Sequence, residues 1–360
     1  MKNPHFKMKN VSGLFVCVVL LVLFILFILL FLLIKHSSFT QVGDYLQELS
    51  QQKYTDIIPF RLLCDERGKV IPVIALTAFL GLPEHVNRFR EYIANGIKVI
   101  GYTSYKSFPK PISDGTVDNQ SLDDKFKYTQ EIKNWVCCFK NPTDYTFTKN
   151  NNLLEMSESD FIDASPKDTP KKYDFIYSCL EDDKDACPLN GWNAVNRNFK
   201  LALKCFPIMV NDFNLKILVV GRLNCGLEKL YPDNIEVVGF LQYNEFQERL
   251  RQSRYLFIPN VYDASPRVIT EALSKDIPVL MNRNILCGSK YINEHTGEFF
   301  TDEHDFKDQL NKLLNKQMHP IKWWAQNYSK EKSGTKFRNF LLQCYPDMPE
   351  LIHSNQVYFR

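Results

Sequence analysis

Between Leu14 and Ile34 the chain holds no polar residue. As a helix such a run rises about 30 Å, the hydrocarbon thickness of a bilayer, and it has no polar face to turn toward water. A secretory leader usually has an apolar stretch of only about 7–15 residues closed by small residues, whereas here Ile34 meets Lys35, His36 and Ser37. The sequence therefore predicts an uncleaved anchor: residues 1–11 as a tail, 12–35 as the span and 36–55 as a polar stem. Lys2, Lys7 and Lys9 precede the run and Lys35 with His36 follows it. The positive-inside bias then puts the N-terminus in the cytoplasm and the body on the lumenal or outer side, a type II arrangement. The charge difference is small, so a cytoplasmic body remains the rival topology. The sequons Asn119-Gln120-Ser121 and Asn327-Tyr328-Ser329 do not decide between them.

Beyond the anchor there is material for two cores, since 360 residues exceed the roughly 100–200 of one ordinary domain. With Lys2, Lys7, Lys9 and Lys35 set aside, 40 of the 44 basic residues stand against 41 acids. A balanced body lacks the clustered cationic surface that nucleic-acid binding requires. The ten cysteines include no CxxC pair, which argues against a zinc site. Several lie in strand-like runs, where cysteine acts as a small hydrophobe, so buried thiols are expected, with one or two bridges left open.

The body starts with a β-α-β pattern: Val70 to Leu76 as a buried strand, Glu84 to Asn95 as a helix, and Ile97 to Ile100 as a second strand. Trp135 to Phe139 and Leu153 to Met156 are shorter strand candidates, and Ala164 to Lys172 reads as a linker. From Asp174 onward strands of four or five apolar residues alternate with helices, the longest predicted over 192–209, as far as Asn315. That pattern implies parallel sheets covered on both faces. The predicted division is 56–165 for a first doubly wound domain, 166–318 for a second, and 319–360 for a helical extension. Two such units face each other across a cleft, where ligands gather at the carboxyl ends of the strands.

The stretch from Phe257 to Leu273 carries the most specific signal. A strand ends at Pro259, a loop presents Asp263, and Ser265 followed by Pro266 has the form of an N-cap and first helical residue. The amides that open the helix, through Arg267 and Val268, suit a diphosphate. Asp263 and Glu271, eight positions apart, suit hydroxyl-rich groups on either side of it.

This acid-x7-acid stretch resembles the signature of the group 1, retaining nucleotide-sugar glycosyltransferases of GT-B fold, over about Tyr173 to Asn315. The chain is also similar to glycosyltransferases of large algal DNA viruses, which would put the anchor in a host-cell membrane. The family resemblance implies an α/β, GT-B-like architecture of two Rossmann-like domains, with a nucleotide-diphospho-sugar as substrate and no cofactor or metal. Its acceptor would be a glycan, lipid or protein. It implies that Asp263 contacts the transferred sugar and Glu271 the ribose, that Arg222 matches in part the family's basic position at the departing diphosphate, and that Gly239-Phe240 meets the base; Lys290, close in sequence to the helix-loop cradle, is a second candidate for the diphosphate. Gly288 falls in the family's glycine-containing loop. The sequence departs from the family at Asp263, where Glu is usual, and at Asn190, where a lysine before Gly191 is usual. Arg197, Lys184 or Arg267 are the cations available to compensate.

Three further readings remain. His85, after the first predicted strand, could act as an acid-base group. Asp183-Lys184-Asp185 is a literal DxD, which suggests a metal-dependent transferase but also fits a solvated charge cluster. A catalytically inactive, membrane-tethered nucleotide- or glycan-binding module is the third.

Overall fold

The computed structural model describes residues 11–104, 108, 131–139, 151–183, 186–263 and 266–360, with 11–18, 31–41 and 54 by backbone alone. Residues 1–10 of the tail and Asn119 lie outside the described residues.

Helix α1 (Val11–Gln51) is continuous. Of the run from Leu14 to Ile34, only residues 19–30 have described side chains, and all of these are exposed. Among the described residues no helix is long and apolar enough to cross a membrane. The stem differs from its expected form. Val42, Tyr45, Leu46 and Leu49 recur at helical spacing, so α1 continues through 36–51 and lays that stripe on the body. Leu46 and Leu49 are buried there.

The first lobe contains β1 (Phe60–Asp65), β2 (Val70–Leu76), α2 (Pro83–Ala94), β3 (Lys98–Thr103), β4 (Asn134–Cys137) and β5 (Asn152–Glu155). β2 to β5 are parallel, whereas β1 runs antiparallel to β2. The sheet faces α1 and α2 on one side, through Leu46, Leu49, Phe89 and Tyr92. Its other side is covered by Phe337, Phe340 and Leu341 of a helix near the chain's end.

A segment without helix or strand, residues 162–172, leads to the second lobe. There β6 (Tyr173–Ser178), α3 (Trp192–Asn196), α4 (Phe199–Pro207), β7 (Ile217–Val220), β8 (Ile235–Val238), α5 (Tyr243–Arg251) and β9 (Ser253–Ile258) follow in turn. They are succeeded by α6 (Arg267–Leu273), β10 (Val279–Asn282), β11 (Gly297–Phe300) and α7 (Glu303–Leu314). The single helix predicted over 192–209 is broken because Asn198 adopts a left-handed conformation, φ 49°, and a π-turn occupies Ile208–Asp212 beyond Pro207. The sheet order is β11-β10-β9-β6-β7-β8 with every pair parallel. This is the doubly wound order of a dinucleotide-type fold, whose topological switch point lies between β6 and β9.

The chain then returns through α8 (Pro320–Asn327) and α9 (Lys330–Cys344) to the first lobe, where β12 (Val357–Phe359) pairs antiparallel with β1. Trp324 of α8 is fully buried and donates its indole N–H to the Ile162 carbonyl at 2.8 Å. Cys187 and Cys225 form a disulfide, while Cys64, Cys137, Cys138, Cys179, Cys205 and Cys287 are buried thiols.

Candidate functional site

The loop after β9 emerges at the switch point and carries Asp263. The Asp263 carboxylate accepts a hydrogen bond from Asn260 Nδ2 at 2.9 Å and is ion-paired with Arg197, which follows α3 on the other side of the switch point. Only 10% of the Asp263 side chain is exposed. Burial pulls the Arg197 guanidinium below its ordinary value. Arg197, one of the three candidate compensating cations, is thus held on the first acid.

Glu271 lies within α6 and is buried. Its carboxylate accepts from Gln247 Nε2 of α5 at 2.9 Å, and the Gln247 Oε1 is buried without a partner. Lys275 donates to the Glu271 backbone carbonyl at 3.1 Å, and burial, reinforced by Arg251, brings the Lys275 ammonium down to about 8. Gly239 and Phe240 follow β8 directly, and Phe240 and Tyr243 expose large aromatic faces there. Burial, with Glu271 adding to it, raises the Tyr243 hydroxyl. The two acids therefore open on different neighbours: Asp263 toward the end of α3, Glu271 toward α5 and the turn after β8.

The turn between them is placed one residue later than the sequence suggests. Ser265 lies outside the described residues; the cap position of α6 is taken by Pro266, and Arg267 is its first helical residue. Val268 is half-buried in the second-lobe core. Gly288 lies against this turn: with φ 91°, an added Cβ would sit 3.1 Å from both Pro266 Cγ and Ile269 Cδ1. The positive φ favours glycine there, and the close approach leaves little room for a side chain.

Two predicted anion-binding cations are engaged by the first lobe. Arg267 Nη2 lies 3.0 Å from Glu158 Oε2, and Lys290 Nζ lies 2.8 Å from Asp160 Oδ2. Asp160 is almost fully buried and also accepts from the Tyr291 hydroxyl. Glu158 and Asp160 belong to one short 3-10 turn, Glu158–Phe161, so a single turn of the first lobe meets both edges of the α6 cradle.

Arg222 requires a correction. It follows β7 as expected, but φ 66° turns it inward and its side chain is fully buried. It pairs with Asp182 at 2.8 Å, donates to Cys179 Sγ and to the Pro188 carbonyl, and stacks over Phe199 at 4.9 Å. A guanidinium satisfied in this way serves the loop after β6 and presents no free face to a ligand. Burial acts to raise the Asp182 carboxyl, but the Asn193 and Ala194 amides with Arg222 outweigh it and hold the group below its ordinary value.

At the position lacking the family lysine, Asn190 Oδ1 accepts from Lys200 Nζ of α4 at 2.9 Å. His85 stands in the first turn of α2, after the carboxyl end of β2, and its buried Nδ1 has no partner among the described residues. Lys184 and Asp185 of the DxD triplet lie outside the described residues, and no metal-holding cluster occurs among the described ones. Asp160, Asp182, Lys200 and Gln247 carry no sequence signal that would single them out, because their roles come from contacts between distant segments.

Residues 194–330 match the family model of glycosyl transferases group 1. The matched segment contains both acids, α6 and the glycine loop. No curated protein matches the sequence. Among solved structures the chain is similar to a chain of the GtfA/B complex, at 10% identity and TM-score 0.54, covering 76% of this chain and 57% of that one. It is similar to the lipopolysaccharide outer core galactosyltransferase WaaB, at 12% identity and TM-score 0.50, covering 85% and 80%. It is also similar to sucrose-phosphate synthase from Thermosynechococcus elongatus, at 13% identity and TM-score 0.51, covering 76% and 74%. Against the GtfA/B chain it spans a little over half the length. These likenesses define a GT-B-like fold with two Rossmann-like sheets. The match to the group 1 family model falls in the second lobe, over residues 194–330.

Proposed function

We propose that this protein transfers a sugar from a nucleotide-diphospho-sugar to a glycan, lipid or protein acceptor, with retention and without metal. The observation that carries the reading is the placement of Asp263 and Glu271 on either side of the α6 turn, at the switch point of the second lobe and within the segment that matches group 1 transferases. Glu271, with Gln247 beside it, takes the ribose hydroxyls, and the turn after β8 takes the base. Asp263, braced by Asn260 and Arg197, orients the transferred sugar. The opening amides of α6 with Arg267 and Lys290 stabilise the diphosphate as it departs. In the step itself the bond from the sugar's anomeric carbon to the phosphate oxygen breaks and a bond to the acceptor oxygen forms. The acceptor's proton passes to the leaving phosphate, and His85 is the candidate for assisting it.

The same reading places residues 14–34 in a bilayer with the N-terminus cytoplasmic and the catalytic body on the lumenal or outer side. The Cys187–Cys225 disulfide supports that side, because such bonds persist in oxidising compartments. The likeness to algal-virus enzymes rests on the sequence alone.

A second reading, a nucleotide-binding module without activity, is favoured by the inward-facing Arg222 and by Asn190. The two are separated by presenting a panel of nucleotide sugars to the full chain. A cognate donor at about 100 times its Kd should stabilise the folded state by about 2.7 kcal/mol. It should also be consumed in transfer or slow hydrolysis, and chelator should leave that turnover unchanged. Stabilisation without turnover would support the module; no stabilisation by any donor would remove both.

A further inference from the structure

A cavity of about 890 Å³ lies away from the acid pair, between α1 and the first lobe. Val70 and Lys98, which line it, are the first residues of the parallel strands β2 and β3, so it opens at the amino ends of that sheet, opposite the cleft. Its volume is in the range of small-molecule sites. One wall is α1 itself, through Val42, Leu46 and Ser50. That helix has a defined direction on the lobe. Val42 meets Gly96 at the amino edge of β3, whereas Tyr45, one turn later, donates to Glu91 of α2. Followed backward from Val42, α1 leaves the lobe on the cavity's side and continues into the exposed apolar residues 19–30. Eight residues separate Ile34 from Val42, a rise of about 12 Å, so the cavity stands just beyond the headgroup layer of any bilayer the run enters.

The lining is amphiphilic in a specific way. Val42, Leu46, Val70 and Met348 supply an apolar wall. Lys69, Lys98 and Arg360 bring three cations, and Asp347 and Glu350 bring two acids. Among the described residues none of these five side chains has an ion-pair partner. Opposite charges that line one cavity without pairing suit a head bearing both signs, and the two acids disfavour a bare dianion.

We propose that this cavity binds one zwitterionic phospholipid, with its phosphate toward Lys69, Lys98 and Arg360, its amine toward Asp347 and Glu350, and a hydrocarbon chain along Val42, Leu46 and Met348. The source of the lipid rests on the anchored reading above; the site's chemistry does not.

The test uses the full chain in lipid-free amphipol and the water-soluble probe dihexanoylphosphatidylethanolamine, with dihexanoylglycerol and dihexanoylphosphatidate as controls, binding being read by calorimetry. The expected result is saturable binding at one site, at least fivefold tighter for the zwitterionic probe than for either control. It should weaken at least fivefold in K69E/K98E and be blocked by Leu46→Trp. Equal affinity for dihexanoylglycerol, undiminished binding in both variants, or no binding would overturn the proposal. Flotation of the full chain with phosphatidylcholine vesicles reports separately on the anchor. A chain that floats but binds no probe loses the cavity site alone, and one that binds the probe but does not float keeps the site and loses the anchor.

Discussion

Among the described residues the two lobes carry sheets of equal size, six strands each, but only the second sheet is drawn from one continuous piece of chain. Its strands are all parallel, and most are buried along their length, as in β7 and β10. The first lobe mixes directions: β1 and β12 run against their neighbours, and β12 with α9 arrives from the far end of the chain. The second lobe can be completed from local sequence, whereas the first is closed only when residues 330–360 return. A chain with this layout couples the integrity of its first lobe to a segment that has already crossed the second.

The sharpest way to break that comparison is Phe337→Ala. Phe337 is fully buried under the first-lobe sheet, stacked on Phe359 of β12 at 4.9 Å, so the truncation should cost about 3–5 kcal/mol. Denaturant unfolding should show an early transition for the first lobe while nucleotide binding by the second persists. A loss under about 1 kcal/mol would mean the return segment is not what holds the first lobe closed.

Within the second lobe, the Cys187–Cys225 bridge spans 38 residues and ties the loop after β6 to the one after β7. Chain-entropy reasoning gives it about 3–4 kcal/mol, so Cys187→Ser with Cys225→Ser should lower second-lobe stability by up to that amount. Reductant should reproduce the effect in the wild type and leave the double variant unmoved.

The smallest expected stability effect is a pH dependence at Lys275. Its folded-state value of about 8 lies below the ordinary ~10.4, so between these limits the unfolded chain holds a proton that the folded one has lost. Stability should rise as pH climbs from about 8 toward ~10.4. Lys275→Met should flatten that rise in thermal melts taken across the window; an unaltered slope would assign it to other groups.

How much was legible in advance follows the same division. Near-continuous apolar runs such as Ile217 to Val220 and Ile235 to Val238 announce buried parallel strands, and the β6–β11 alternation was read from them. β1 was not, because Arg61 and Asp65 interrupt its pattern, and the three residues of β12 are too few to carry a period. The stem's helix was hidden by polar residues such as Asp44, Gln47 and Glu48, which interrupt the apolar stripe in sequence. In the site, the spacing of Asp263 and Glu271 singles out both acids as candidates. It could not reveal that a positive φ turns Arg222 into the lobe, or that Glu158 and Asp160 reach Arg267 and Lys290 across the lobes. Those facts depend on long-range contacts, which no local pattern encodes.

The account stands on Glu271 as a ligand of the donor's ribose beside an α6 turn that holds the diphosphate. Calorimetry of donor binding to the full chain and to Glu271→Ala tests this most directly. One charged hydrogen-bond pair is at stake, so affinity should fall by about 1.5–3 kcal/mol with the fold intact. Donor affinity equal in the two proteins would contradict the assignment of the site.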